Sequence, residues 1–296
     1  MNTVEAVSYL GEVGEGISKP KKMLCSDGII RVVKFNHPSH LDRSLLNELL
    51  GWNIAKIMEL PVLEQSLVEV PAELAKLYSN VEGMSEGIKV GYPLKNINEN
   101  IASTGLFREP LPKLYGSCIN THHFPGIFIF DMWTQNDDRG SNDGNLLVIP
   151  NKNGDRELFV HDYGYCFIRP TSDMVKYKTL EELTGSPLRW QQHYWQNPPV
   201  YNALGFHIDL MDSNINPFVP YIKNIENLTI ERLDTIMKYI PAEWYISKSE
   251  IDIIKNFLYD RRYSVRIEID ALTKSFWFPN WNGGALNWQD LHASSE

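Results

Sequence analysis

Residues 136–150 read N-D-D-R-G-S-N-D-G-N-L-L-V-I-P, and residues 158–167 read L-F-V-H-D-Y-G-Y-C-F. The apolar runs Leu146–Ile149 and Leu158–Val160 predict two short β-strands, each with a polar cluster at one end. Between them, residues 151–155 read N-K-N-G-D, which is typical of a tight turn, so we expect an antiparallel hairpin. Such a hairpin brings the polar residues before the first strand close to those after the second.

The two polar clusters supply the carboxylates and amides that phosphoryl transfer requires. One aspartate orients the acceptor hydroxyl, while an asparagine and a second aspartate hold Mg²⁺ on the phosphates. The order of residues predicts Asp138 as the base, Asn145 as the amide ligand and Asp162, within a D-x-G sequence, as the metal ligand. The spacing from Asp138 to Asn145 is longer than in the protein-kinase loop signature, so Asn142 stays open as an alternative. We favour Asn145 because it directly precedes the Leu-Leu-Val strand.

An ordinary surface turn is the alternative interpretation, since Asn, Asp and Gly cluster in such turns. An EF-hand loop is excluded, because a glycine at its sixth position would place Arg139 or Gln135 at the first ligand position. The upstream half of the chain favours the catalytic interpretation, because it supplies the remaining parts in order.

The N-terminal segment, residues 9–37, predicts β structure. Its glycines (Gly11, Gly14 and Gly16) indicate a loop whose backbone N–H groups can approach phosphate oxygens. Strands are predicted at Met23–Cys25 and Ile29–Phe35, separated by a turn at Ser26-Asp27-Gly28. Lys34 ends the second strand, as the phosphate-binding lysine does in V-A-I-K; a solvated lysine at a strand end is the alternative.

A helix is predicted from Asp42, its N-cap, to about Met58, before Pro61. Glu48 lies in the middle of this helix among leucines. A lone carboxylate on an apolar face is costly unless it is paired, so we expect Glu48 to pair with Lys34. The alternative is that Glu48 belongs to a polar stripe with Asn47.

The middle of the chain predicts a strand within Val62–Val70, a short helix at Pro71–Tyr78 and a strand with connector at Gly87–Pro93. We expect this connector to bind a purine ring through its backbone, with Lys89 and Gly91 as nucleotide contacts. A domain boundary near Gly91 divides the chain into residues 1–91 and 92–296.

The remainder predicts helices. Phe124–Trp133 is an apolar run expected to form a buried helix in which Asp131 is structural, and the adjacent His122-His123 pair lacks partners at metal-ligand spacing. Further helices are predicted at Thr179–Thr184, Leu188–Trp195, Pro217–Ile225, Thr229–Tyr239 and Ser247–Leu272. Ser247 and Glu250 form a capping box at the start of the last one.

Composition describes a globular protein that can bury a core, with 43% hydrophobic and 22% charged residues. No apolar run approaches the roughly 20 residues of a transmembrane helix, and the N-terminus lacks the features of a secretory signal, so we expect a cytoplasmic protein that binds no membrane. The net charge of −9 argues against direct nucleic-acid binding. Cys25, Cys118 and Cys166 are expected to be reduced thiols.

Taken in order, the glycine loop, the strand lysine, the N-E-L-L helix, D-R-x-x-x-x-x-N-L-L and D-x-G resemble the HipA-like kinases, in particular their compact branch. The similarity covers roughly residues 10–272, although only these motifs are specific. It implies an α+β, two-lobed protein-kinase-like fold, with a small mixed β N-lobe over a mostly helical C-lobe and Mg·ATP between them.

The resemblance also implies a role for each matched residue. Lys34 would bind the α- and β-phosphates, Glu48 would hold Lys34, and Asp138 would be the base beside a structural Arg139. The metal ligands would be Asn145 and Asp162. Ser18 lies where family members can carry a regulatory phosphoserine, and with Gly14 and Gly16 it is expected to line the nucleotide site.

The implied activity is serine/threonine protein phosphorylation, with an antitoxin-type partner because family members often belong to toxin–antitoxin modules. Two alternatives stay open. A pseudokinase that binds nucleotide as a binding module is suggested by the longer catalytic loop. A lipid or small-molecule kinase is suggested by the segment around D-R-G, which is similar to type II phosphatidylinositol 4-kinases.

Overall fold

The computed structural model describes residues 2–13, 19–36, 42–95, 109–184, 198–211, 215–273, 278–281 and 284–289. Its first part is rich in strands and its last part is helical, so the mixed α+β class is confirmed. The strands are β1 (Thr3–Glu12), β2 (Lys21–Cys25), β3 (Ile30–Lys34), β4 (Ser66–Val70), β5 (Gly87–Pro93), β6 (Leu146–Pro150) and β7 (Arg156–Val160). The helices are α1 (Ser44–Ile57), α2 (Ala72–Leu77), α3 (Leu111–Gly116), α4 (Phe124–Thr134), α5 (Met174–Thr184), α6 (Pro199–Gly205), α7 (Val219–Glu226), α8 (Ile230–Met237), α9 (Lys248–Arg261) and α10 (Val265–Leu272).

The first five strands form a closed barrel in the order β1-β2-β3-β5-β4. All pairs are antiparallel except β1 with β4, which is parallel and closes the barrel. Apolar residues fill the interior, among them Met23, Val33 and Val68. The prediction that Gly11 belongs to the glycine loop is wrong, because Gly11 lies within β1 and pairs with Lys22.

Helix α1 packs in the main core between the outer face of the barrel and the later helices. Leucines on most of its circumference are buried together with Val90 and Tyr92 of β5. The prediction that Asp42 caps this helix is wrong, because α1 begins at Ser44 and Asn36 accepts the N–H of Leu45 at 3.0 Å. Asp42 instead accepts the N–H of Ser172.

The hairpin that the sequence predicts is present. Strands β6 and β7 pair antiparallel from Leu146 with Val160 to Pro150 with Arg156. Gly154 has a φ of +87°, which a side chain would disfavour, and its N–H donates to the carbonyl of Asn151 to close the turn. The N–H of Val160 donates to Pro61 at 2.7 Å, so the hairpin is attached to the segment that follows α1.

The C-terminal part differs from the prediction in two places. The single helix expected from Ser247 is divided into α9 and α10, because the side chain and N–H of Ser264 both donate to the carbonyl of Arg261 and end the first helix. The capping box of Ser247 and Glu250 is confirmed. Helix α6 had no counterpart in the sequence analysis, and the predicted Leu188–Trp195 helix lies outside the described residues.

The three cysteines are buried free thiols, as expected. In the part of the chain that the structure describes, no helix has both the length and the apolar character needed to cross a bilayer.

Gly51 lies where α1 packs tightly against the loop after β7. A Cβ added there would lie 2.6 Å from the Cβ of Tyr163, which cannot move without its backbone. Alanine favours a helix over glycine by only about 1 kcal/mol, so the clash should dominate. We predict that Gly51→Ala lowers the melting temperature by several degrees. Lys56→Ala, on the exposed side of the same helix, should leave it within about 1 °C; equal melting of the two variants would contradict the prediction.

Candidate active site

Lys34 lies at the centre of a cluster of charges formed by three distant segments. It is the last residue of β3, and its Nζ is 3.0 Å from Glu48 Oε2 on α1 and 2.9 Å from Asp162 Oδ1 after β7. Its side chain is 6% exposed. Burial alone would lower the pKa of Lys34, but the two carboxylates raise it, so Lys34 is an ammonium group at neutral pH. The structure therefore brings together the lysine, the helix glutamate and the D-x-G aspartate.

Glu48 is fully buried and makes contacts that the sequence did not reveal. Its Oε2 accepts the backbone N–H of Tyr163 at 2.9 Å, and its Oε1 accepts the hydroxyl of Tyr92 at 2.5 Å. Gln65 in turn donates to that hydroxyl at 2.6 Å. Burial raises the pKa of Glu48 against the effect of Lys34. These donors hold the carboxylate in one orientation toward Lys34. The alternative that Glu48 belongs to a polar stripe with Asn47 is therefore wrong.

Asp138 lies at the start of the hairpin with both candidate amides beside it. Its Oδ2 accepts from Asn145 Nδ2 at 2.6 Å and from Asn142 Nδ2 at 3.2 Å. Asn145 is buried just before β6, whereas Asn142 is exposed and its own oxygen accepts the N–H of Gly144. The oxygen of Asn142 is thus used within the loop, which favours Asn145 as the amide ligand.

Arg139 is buried and contacts both of the loops that carry the polar clusters. Its guanidinium is fully buried and pairs with both oxygens of Asp131 on α4 at 2.9 Å. It also donates to the carbonyl of Asn145 at 2.8 Å and to that of His161 at 2.7 Å. Asp131 and these carbonyls together use most of the hydrogen bonds that the guanidinium can donate. Arg139 therefore holds the Asp138–Asn145 loop and the Asp162 loop in a fixed relation, and Asp131 is structural as the sequence suggested.

Asp162 differs from its neighbours in facing solvent. Its side chain is 35% exposed, compared with none for Glu48. Burial would raise the pKa of Asp162, but Lys34 and the N–H of Gly164 hold it well below its usual range. It is therefore ionised at any physiological pH. The N–H of His161, the residue before Asp162, donates to the backbone carbonyl of Asn145 at 3.0 Å, so the two segments are adjacent. Carboxylate and amide oxygens are donors that Mg²⁺ prefers, so the residues present fit a divalent cation.

Comparison with known proteins identifies the family. A family model described as HipA-like kinase matches residues 7–180, which is more than half of the chain. The chain belongs to the HipA-like kinase family. Membership of this family supports phosphotransferase activity, and kinases as a class use a nucleotide and a divalent metal. A search of curated proteins gives no significant match.

Two solved structures resemble this HipA-like kinase. The Helicobacter pylori proinflammatory kinase CtkA aligns with a TM-score of 0.51 and 15% identity over 88% of this chain and 95% of that one, which shows a shared fold. HipA of Shewanella oneidensis, solved with HipB and operator DNA, aligns with a TM-score of 0.40 and 12% identity over 88% of this chain and 65% of that one.

Two further predicted nucleotide contacts, Lys89 and Gly91, do not meet at this cluster. Gly14, Gly16 and Ser18 lie outside the described residues. Lys89 is buried on β5 with its Nζ donating to the carbonyl of Glu86 at 2.5 Å, and its ammonium group faces the ring of Phe35. Gly91 is paired on both edges, with Val33 of β3 and Ser66 of β4. The structure therefore does not bring Lys89 or Gly91 to the Lys34 cluster.

Tyr92 and Asn47 are site residues that the sequence analysis did not assign. Lys34 pairs with Val90, so Tyr92, two residues further along β5, lies on the same face of the sheet as Lys34. That alternation could have indicated Tyr92 once the strands were paired.

The His122-His123 pair was considered as a metal site in the sequence analysis. In the structure, His123 contacts the hydroxyl of Tyr221 at 3.0 Å.

Asp137 supplies a test of the electrostatics beside the site. Burial, with a contribution from Asp138, raises its pKa to about 7 from a usual 3.8, and among the described residues its Oδ1 has no hydrogen-bond partner. Between these two values the folded state binds one proton more than the unfolded state, so this group lowers stability as pH rises through that window. We predict that Asp137→Asn raises the melting temperature by roughly 2–5 °C at pH 8 and by less at pH 5.

The control is Asp155→Asn, an exposed aspartate in the hairpin turn, which should shift the melting temperature at neither pH. Thermal unfolding followed by circular dichroism at both pH values is the measurement. An equal shift of the Asp137 variant at pH 5 and pH 8 would show that the carboxyl does not titrate in this window.

Proposed function

We propose that this chain is a Mg·ATP-dependent kinase that phosphorylates serine or threonine hydroxyls of a protein, with ATP bound between a β-rich lobe and a helical lobe. The observation that carries the proposal is the position of Lys34 Nζ, within 3.0 Å of both Glu48 and Asp162. A strand lysine shared by a helix glutamate and a D-x-G aspartate is the arrangement that places an ammonium group on a nucleotide phosphate beside a metal.

Each residue near Lys34 has a distinct role in the proposal. Lys34 binds the α- and β-phosphates, and Glu48 orients it. Asp162 and Asn145 hold Mg²⁺, which when bound supplies positive charge to the phosphate oxygens. The exposed face of Asp162 and its ionised state support this assignment.

Asp138 is the proposed base. Two amides donate to its Oδ2, so this carboxylate has a fixed direction and accepts the proton of the acceptor hydroxyl without first reorienting. Arg139 has no contact with substrate in this proposal. It acts as a positioning residue for Asp138 and Asp162 through the carbonyls of Asn145 and His161.

Other features stay predictions. Gly14, Gly16 and Ser18 are proposed to line the nucleotide site, and the division into residues 1–91 and 92–296 is proposed to mark the two lobes. HipB is a partner in the structure of the Shewanella protein, which aligns only weakly with this chain. An antitoxin-type partner remains a prediction from the family resemblance. A cytoplasmic location is likewise a prediction.

The test is transfer of labelled phosphate from ATP to lysate proteins in the presence of Mg²⁺. We predict that Asp162→Ala lowers transfer by about a hundredfold to a thousandfold, because the ion can no longer be held on the phosphates. Asp155→Ala, at an exposed aspartate of the same hairpin, should retain wild-type transfer. Acid hydrolysis of the labelled proteins should yield phosphoserine or phosphothreonine.

Equal labelling by the wild type and Asp162→Ala would refute an active kinase centred on this site. Thermal stabilisation of the wild type by Mg·ATP without labelling of any protein would instead support a nucleotide-binding pseudokinase. Labelling of lipid but not of protein would support the lipid-kinase alternative.

A further inference from the structure

Asn47 lies beside Glu48 on α1 and contacts the segment that follows Asp162. Its side chain is fully buried. Its Nδ2 donates to the carbonyl of Gly164 at 2.8 Å and to that of Cys166 at 2.7 Å, and the carbonyl of Arg169 lies 3.3 Å away. One carboxamide therefore holds three carbonyls of a segment that lies more than a hundred residues away in sequence.

The orientation of this carboxamide is fixed from its other side. Asn47 Oδ1 faces Lys176 Nζ at 3.4 Å, and Lys176 is itself fully buried on α5. Lys176 Nζ donates to Oδ1, and this contact turns the nitrogen of the amide toward the carbonyls. The flipped orientation would turn Oδ1 toward the carbonyls of Gly164 and Cys166 and leave both without this donor.

The segment that Asn47 holds has a backbone that needs external support. Asp162, Phe167 and Ile168 have φ values of +55°, +60° and +76°. Such φ values are unfavourable for residues other than glycine, most of all for β-branched isoleucine. They persist only where the surrounding structure enforces them. The C-terminal end of α4 supplies part of this support, since the N–H groups of Phe167 and Ile168 donate to the carbonyls of Thr134 and Gln135.

Helix α1 supplies the rest through consecutive residues. Glu48 accepts the N–H of Tyr163, and Asn47 donates to the carbonyl of Gly164. The Tyr163-Gly164 dipeptide directly after Asp162 is thus held at both a donor and an acceptor. Because the side chain of Asp162 projects from this loop, its direction depends on both contacts.

We propose that Asn47 is a positioning residue for the metal ligand Asp162, acting through the 164–169 segment. This inference deepens the proposed function and depends on the assignment of Asp162 as a metal ligand. Loss of the carboxamide should allow the strained loop to relax, so that Asp162 is no longer held in the direction that binds the cation. The effect should therefore appear first in the requirement for Mg²⁺.

The test compares Asn47→Leu and Asn47→Asp, both close in shape to asparagine, with the wild type. Neither introduced side chain can donate to the carbonyls when the carboxyl is ionised. We predict that the Mg²⁺ concentration for half-maximal phosphate transfer rises about tenfold to a hundredfold, while the rate at saturating Mg²⁺ falls by a smaller factor. If the leucine variant does not fold, the aspartate variant carries the same test.

Trp52→Phe is the matched control. Trp52 is a buried residue of the same helix whose indole donates to the carbonyl of Leu63 at 2.8 Å, and not to a carbonyl of the 164–169 segment. This variant also loses a buried hydrogen bond to a backbone carbonyl, but its Mg²⁺ requirement should equal that of the wild type. An unchanged Mg²⁺ requirement in both Asn47 variants would overturn the proposal, whatever happens to their stability.

Hydrogen exchange separates this proposal from the proposed function. If the wild type transfers no phosphate, the kinase assignment fails, and exchange at the Phe167 and Ile168 amides still tests whether Asn47 holds the loop. Faster exchange at these amides in the Asn47 variants but not in Trp52→Phe would support the positioning role. Unchanged exchange would refute it.

Discussion

The ion pairs of Lys34 with Glu48 and Asp162 are the interactions on which the arrangement of the site depends. Lys34 contacts two carboxylates from different segments while its side chain is almost excluded from water. Two negative charges and one positive charge leave a net negative charge at the cluster, and the solvent-exposed member is Asp162. Attraction between charges is stronger where water is excluded, so the side of the cluster at which Asp162 is exposed favours a cation. The same balance of charge keeps Lys34 protonated and Asp162 ionised.

Arg139 is a second buried positive charge, and its role differs from that of Lys34. Its pair with Asp131 is fully buried, and replacing such a pair with apolar residues is often neutral for stability, whereas removing one partner costs roughly 3–5 kcal/mol. Net stabilisation therefore does not account for a guanidinium at this position. Its contacts with the carbonyls of Asn145 and His161 do, because one rigid planar group fixes two loops relative to each other.

The sequence predicted the elements whose signals are local. The β6–β7 hairpin, the capping box at Ser247 and the strand that ends at Lys34 each depend on residues close together in the chain. The errors arise where a distant or competing partner decides the structure. Asn36, two residues after the end of β3, replaces Asp42 as the residue that binds the N-terminus of α1. Parallel closure of the barrel pairs Thr3 with Leu67, which no local pattern indicates.

The site residues show the same division. Residue type and order made Lys34, Glu48, Asp138, Asn145 and Asp162 the candidate site residues, because the proposed chemistry requires these groups and the chain presents them in one order. The structure brings Lys34 into contact with Glu48 and Asp162, and Asp138 into contact with Asn145, while their roles stay predictions. Tyr92 and Asn47 have no such signal, since a tyrosine in a strand and an asparagine in a helix are common. Their importance comes from what they contact after folding, namely the carboxylate of Glu48 and the carbonyl of Gly164.

Helix α1 is the element through which these contacts act together. Asn47, Glu48 and Gly51 all meet the loop after β7, and Glu48 also holds Lys34 on the barrel. A displacement of α1 would therefore change the positions of Lys34 and of Asp162 at the same time. The N-terminal end of α1 is fixed by later parts of the chain, since the side chain of Arg43 pairs with Glu250 at 2.9 Å and its N–H donates to Pro170. The helical part of the chain thereby fixes the helix whose Glu48 orients Lys34 on the barrel.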